Sequence, residues 1–223
     1  PVPGAVQLPK AGARVGDRPG LVGVGLAGEV VVAAALGGLV ADEVVAAAGD
    51  DSGAVPPGTK IMDSATLKFG REKVSNSDHK GMGVVTFEDG IAYSRNIVAA
   101  RSARKLGRSV RAAAASLYGM WDRLGIGRKT GIETSGEVAG LVVDPATRQW
   151  AGIDLANRSF GQGVAVSQLQ LAQAFAAMVN GGSFVHPRLV ADLAGQPVEA
   201  VPPVQVLSPE VSTDLRDLMK HVV

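Results

Sequence analysis

The stretch from Ser167 to Gly182 leaves this chain less conformational choice than any other. In Ser167-Gln168-Leu169-Gln170 a hydroxyl can accept from the backbone N–H three residues on, and the Gln170 amide can reach back to the serine N–H, which makes a capping box. Leu169, Ala172, Phe175, Ala176 and Val179 then recur at helical spacing until Asn180-Gly181-Gly182 stops the pattern. This is the most strongly marked helix in the chain.

Similar punctuation runs through the rest of the chain. Thr86-Phe87-Glu88-Asp89 is a variant capping box, and it predicts a short helix ahead of Ser94. Asn96–Leu106 reads as a helix with Ile97, Val98, Ala100 and Ala103 inward and Arg101, Arg104 and Lys105 solvated, ended by a left-handed C-cap at Gly107. A last helix starts from Ser208 as cap with Pro209 at its first position, and Val211, Leu215, Leu218, Met219 and Val222 line one face. Gly140–Asp144 and Val185–Ala191 have the β-branched character of edge strands.

Pro19–Gly58 uses a restricted alphabet in which only Glu29–Leu36 reads as a buried helix, with Gly37-Gly38 as its stop. Asp50-Asp51-Ser52-Gly53 and Pro56-Pro57-Gly58 read as turns. Leu21–Ala41 is apolar, but Glu29 interrupts it and its longest uncharged run is too short to cross a bilayer, so it reads as a buried segment. No charged leader with a cleavage site opens the chain, and Pro1 reads as an internal start, with any anchor outside this sequence.

With 223 residues the chain can bury one good core, so a single domain is expected. Hydrophobic residues make up 46% and aromatic residues only 4%, so that core is built from Ala, Val, Leu and Ile. The 22 basic and 21 acidic residues nearly cancel without a long basic stripe, which argues against a nucleic-acid partner. The absence of cysteine excludes disulfides and thiolate chemistry. His79, His186 and His221 are scattered without metal-ligand spacing, so no metal and no cofactor is expected.

Four short segments follow one another in a fixed order. Ser94-Arg95-Asn96 falls between two expected helices, where its side chains can be held on a rigid loop facing a cleft. Taken alone, Ser94 can equally be a plain helix cap. Gly125-Ile126-Gly127-Arg128-Lys129-Thr130-Gly131-Ile132-Glu133 follows, then Ser159-Phe160-Gly161-Gln162-Gly163 and Asn180-Gly181-Gly182. In this order they resemble the penicillin-binding transpeptidases, class B members above all, from about Thr59 to Val223, with residues 1–58 poorly matched. Phe184, His186 and Pro187 fit the family outline after the Asn-Gly-Gly stop.

The resemblance implies the penicillin-recognising serine transpeptidase/β-lactamase-like fold. That is an α/β (α+β) arrangement of an antiparallel sheet with a mostly helical lobe, here as a single, incomplete domain. It implies a D,D-transpeptidase that attacks the D-Ala-D-Ala end of a peptidoglycan stem peptide through a serine and is acylated there by β-lactams. The place implied is the extracytoplasmic face of the bacterial membrane, beside a membrane glycosyltransferase or division-complex partner. Such enzymes use S-x-x-K, S-x-N and K-[ST]-G motifs. Ser94 and Asn96 correspond to the middle one, in which the serine relays protons and the asparagine amide binds the substrate carbonyl and the lysine.

The other two motifs depart from the family. Lys129-Thr130-Gly131 spells the third, but it lies inside a segment that resembles the family's structural G-x-G-x-x-T-G-[IV]-[DE]-x-x-G-E element; the true strand is expected beyond Val223. For the first, Ser77-Asp78-His79-Lys80 falls in a polar loop and Ser102-Ala103-Arg104-Lys105 late on a helix. Aligning Pro19-Gly20 with the family's P-G-S-x-x-K puts Leu21 and Val24 at the reactive positions; matching the alanine-rich helix instead puts Gly25 and Gly28 there. Either register lacks a nucleophile, and the abrupt end favours a fragment. The alternatives are a catalytically inactive transpeptidase-like module that binds a cell-wall or division partner, and a β-lactamase or carboxypeptidase relative.

Overall fold

The computed structural model describes residues 36–222. Seven helices dominate the described residues: α1 (Leu36–Asp51), α2 (Phe87–Ala92), α3 (Asn96–Lys105), α4 (Val110–Arg123), α5 (Gly152–Ser159), α6 (Gln168–Val179) and α7 (Pro209–Met219). Strands β1 (Lys60–Asp63), β2 (Thr66–Phe69), β3 (Glu72–Ser75) and β4 (Gly83–Thr86) lie between α1 and α2; β5 (Ser183–Phe184), β6 (Asp192–Leu193), β7 (Gln196–Pro197) and β8 (Val204–Gln205) lie between α6 and α7. Among the described residues all pairing is antiparallel, as expected, but it forms four separate two-stranded ribbons, β1-β4, β2-β3, β5-β8 and β6-β7, rather than one broad sheet.

Helix α1 is the hub, and every residue from Ala41 to Gly49 is buried. It packs against α3, α4, α5 and α7, so no face is left for solvent and no amphipathic stripe is needed. Val44, Val45 and Ala47 meet Leu117, Trp121 and Leu215 in one continuous aliphatic core. Trp121 and Trp150 sit 5.7 Å apart between ring centres, and the Arg158 guanidinium lies 4.7 Å from the centre of the Trp150 ring.

The helix starts follow their side-chain caps. The Thr86, Ser109, Ser167 and Ser208 hydroxyls accept from Asp89, Ala112, Gln170 and Val211 N–H. Each such bond contributes about 1 kcal/mol by satisfying a donor the helix leaves open. The Thr86 and Ser167 boxes are closed reciprocally by Asp89 and Gln170, and Pro209 opens α7.

Four expectations are corrected. Gly37-Gly38 does not stop a helix but lies within α1, while the expected helix over Glu29–Leu36 falls almost wholly outside the described residues. Gly107 is not in the left-handed region: the α3 C-cap is Leu106 in right-handed geometry, and a Cβ on Gly107 would sit 2.7 Å from the Ala112 carbonyl carbon. Closeness to α4, not backbone handedness, is what calls for glycine there. Val185–Ala191 forms no strand, pairing occurring instead at Ser183–Phe184 and Asp192–Leu193. Gly140–Asp144 is reduced to one bridge from Leu141 to Ala165.

Among the described residues no helix is long and apolar enough to cross a membrane, and no His, Asp and Glu cluster could hold a metal. Most of Leu21–Ala41 lies outside those residues.

Candidate active site

The capped helix α2 ends at Tyr93, and the chain reverses through Ser94 into α3. Backbone bonds from Ser94 N–H to Ile91 O and from Arg95 N–H to Gly90 O, both 2.8 Å, lock the corner. The turn forces Ser94 to φ 46°, a left-handed conformation that costs a residue with a Cβ of the order of 1 kcal/mol. Gly90 makes the tight crossing possible, because a Cβ there would lie 2.7 Å from Val98 Cβ.

Arg95, the residue between Ser94 and Asn96, anchors the turn. It is 7% exposed and donates from Nε to Asp63 Oδ2 at 2.8 Å, from both terminal nitrogens to Asp78 at 3.0 and 3.2 Å, and to the Lys80 carbonyl. Asp63 is fully buried, so this pair has little solvent screening. Asn76 joins the network, donating 2.7 Å to Asp63 Oδ1 while its Oδ1 accepts from Ile97 N–H at 3.1 Å. The Arg95 hydrogen bonds hold the exposed Asp78 carboxyl below the usual carboxylate range. Asn96 is the first residue of α3, and its Nδ2 donates to Ser75 O at 3.0 Å. One Nδ2–H and the side-chain carbonyl of Asn96 thereby remain for another partner.

Ser94 is solvent-exposed, and its hydroxyl donates to Asp42 Oδ2 of α1 at 3.1 Å. Asp42 is 1% exposed and its Oδ1 has no partner. Burial, then the neighbouring Glu43 charge, push its carboxyl well above the usual range, against the opposing effect of the Ser94 bond. Glu43, also 1% exposed with neither oxygen partnered, is pushed by burial to about 7. The element facing Ser94 thus presents a buried acid whose surroundings favour its neutral form.

The described part of α1 contains neither serine nor lysine. The literal Ser-x-x-Lys matches fail on geometry as well. Ser77 and Lys80 are exposed in a loop, whereas Ser102 is fully buried inside α3 with Lys105 on its exposed side. Leu21, Val24, Gly25 and Gly28 lie outside the described residues.

Lys129-Thr130-Gly131 is not a strand. The Glu137 carboxylate gathers the Thr130 N–H, the Thr130 hydroxyl and, at 3.1 Å, the Gly131 N–H; these bonds outweigh burial and lower its pKa. The Gln170 amide donates to Arg128 O and, at 2.9 Å, to Ala139 O, tying this loop to α6. The segment is a structural brace, and Ser159 is likewise buried, donating to Ala156 O at 2.7 Å. Neither the cleft lined by Gly125, Thr130 and Phe184 nor that lined by Ile61, Phe69 and Leu155 has Ser94 or Asn96 in its wall.

Sequence reading did not find Arg95, Asp63, Asn76 or Asp78. The only local signal was an arginine flanked by a serine and an asparagine in a turn; the carboxylate that fixes it lies 32 residues away.

A helical lobe with antiparallel ribbons, and a clamped Ser-x-Asn turn set against a buried helix, defines an α+β fold. The family model for the penicillin-binding protein transpeptidase domain matches residues 43–223, and the chain belongs to that family. It is 27% identical over 185 residues to penicillin-binding protein PbpB of Mycolicibacterium smegmatis, covering 81% of this chain and 27% of that protein. PbpB of Mycobacterium tuberculosis is 35% identical over 111 residues, 48% of this chain and 16% of the relative. The chain thus spans about a quarter or less of these relatives. Among solved structures, PBP2 of Pseudomonas aeruginosa in complex with WCK 5153 matches with a TM-score of 0.71 at 27% identity, over 82% of this chain and 43% of that one. Penicillin-binding protein 3 of Mycobacterium tuberculosis complexed with aztreonam matches with a TM-score of 0.71 at 25% identity, over 82% and 40%.

Proposed function

We propose that this chain is part of a peptidoglycan D,D-transpeptidase that cross-links stem peptides by serine acyl transfer and is acylated by β-lactams, at the extracytoplasmic face of the membrane. The observation that carries the proposal is the Ser94-Arg95-Asn96 turn, clamped through Arg95 to Asp63 and Asp78 with the Ser94 hydroxyl against a buried helix. In this reading Ser94 relays a proton near the nucleophile, and the free face of the Asn96 amide binds the peptide carbonyl. Membership of the family and the aztreonam complex of a relative support it. A membrane glycosyltransferase fits as the working partner, because cross-linking consumes freshly polymerised glycan strands.

The test is incubation of the full-length protein with a fluorescent penicillin, followed by denaturing electrophoresis. Labelling that survives denaturation is expected, since an acyl-enzyme is covalent. Its absence would favour the inactive binding module, the reading that the missing serine and lysine in the described part of α1 speak for.

A further inference from the structure

A second concave site lies away from the Ser94 turn. Strands β1 and β2, the C-terminal half of α3 and the start of α5 line a cleft of about 530 Å³, within the roughly 300–1,000 Å³ range of ligand sites. Its floor is apolar, formed by Ile61, Leu67, Phe69 and Leu155.

Every charge in its wall is positive: Lys60, Arg101, Arg104 and Lys105. Acids balance bases almost one for one in the chain as a whole, so this concentration is local. Among the described residues Lys60, Arg101 and Lys105 form no ion pair, and Arg104 donates only to the Gly107 and Arg108 carbonyls. The Arg101 Nε is buried without a hydrogen-bond partner. A buried donor with no acceptor is costly, and like charges in one wall repel, so an acceptor supplied from outside would stabilise the arrangement.

We propose that this cleft docks an extended peptide segment of a partner protein, with apolar side chains on the floor and Asp or Glu side chains against the four cations. Charge complementarity selects an acidic partner, and the apolar floor selects a chain with hydrophobic anchors over a simple anion. Concavity selects a peptide over a bilayer, because an anionic membrane contacts protruding basic and apolar groups rather than a recess. Among the described residues β1 pairs only with β4 and β2 only with β3, so both wall strands keep an unpaired edge on which an extended chain can add hydrogen bonds. Met62, 47% exposed, adds an apolar side chain at the rim of the cleft. The inference does not depend on the acyl-transfer reading.

Selection of a displayed random eight-residue peptide library on the full-length protein tests it. Enriched sequences are expected to alternate Asp or Glu with Leu, Phe or Val. A synthetic peptide of the enriched sequence should lose at least tenfold in affinity on Lys60→Glu/Lys105→Glu, both exposed positions, and again on raising the salt. Penicillin labelling and circular dichroism of that variant should match the parent, showing that the fold survives. Enrichment without acidic bias, a peptide bound equally by the variant, no enrichment at all, or vesicles of anionic lipid competing with the peptide for the same charges would each overturn the proposal.

Discussion

Glu43 makes the domain's stability depend on pH in a direction opposite to that of an ordinary surface carboxylate. Its side chain is buried on the central helix with both oxygens unpartnered, and burial raises its pKa from 4.5 to about 7. In the unfolded chain the proton leaves near 4.5; in the folded chain it stays until about 7. The stabilisation is therefore complete below the lower value and lost as pH rises to the higher one. At about 1.4 kcal/mol per pH unit the full loss is about 3 kcal/mol, of which about 2–3 kcal/mol falls between pH 5 and 8. Asp42 and Asp50, also raised by burial, add losses of the same sign. Acids with lowered values, such as Glu137 and Asp154, gain their stabilisation at more acidic pH and leave this window to the raised groups. Urea unfolding at pH 5 and pH 8 is expected to show the parent losing stability across the window, and Glu43→Gln losing about 2–3 kcal/mol less. A variant with the parent's pH dependence, or a parent that gains stability toward pH 8, would refute the reasoning.

Arg95→Ala leaves Asp63 buried and unpaired, and urea unfolding should show a loss of about 3–5 kcal/mol. Gly90→Ala drives a methyl into Val98 at the corner that sets Ser94; a loss of about 1–3 kcal/mol by the same measurement is expected, with slower β-lactam acylation of the full-length protein. Asn96→Ala in the full-length protein should slow acylation by the equivalent of about 2.7–4 kcal/mol, the loss of one transition-state donor, and stopped-flow acylation kinetics that do not change would remove Asn96 from the site.

The parts of this fold that were legible in the sequence are those set by hydrogen bonds within one turn. The Ser167–Gln170 box, the Thr86–Asp89 box and the Ser208-Pro209 start each put their polar atoms where a helix start needs them. Helix α4 carried the same signal in Ser109 ahead of an alanine run, but it lies between two chemistry-bearing motifs and was not read as a helix. Gly37-Gly38 misled because glycine costs only about 1 kcal/mol each in a helix, less than α1 recovers by burial on all sides. The strands β1 to β4 have four residues each, and a pattern such as exposed-buried-exposed-buried at Lys60–Asp63 is too short to stand out. Family order singled out Ser94 and Asn96 as candidates, whereas the contacts of Asp42 and of the Arg95 network are tertiary: they join residues 52 and 32 apart, and no local pattern announces them.

The most direct test of the Ser94 turn as acyl-transfer machinery is the second-order rate of β-lactam acylation in the full-length protein, compared with Ser94→Ala at unchanged melting temperature. The account predicts covalent labelling of the parent and a fall of about 10²–10⁴-fold in the variant, the range for a lost proton-transfer group. A parent that is never labelled, or a variant that is acylated at the parent's rate, would contradict it.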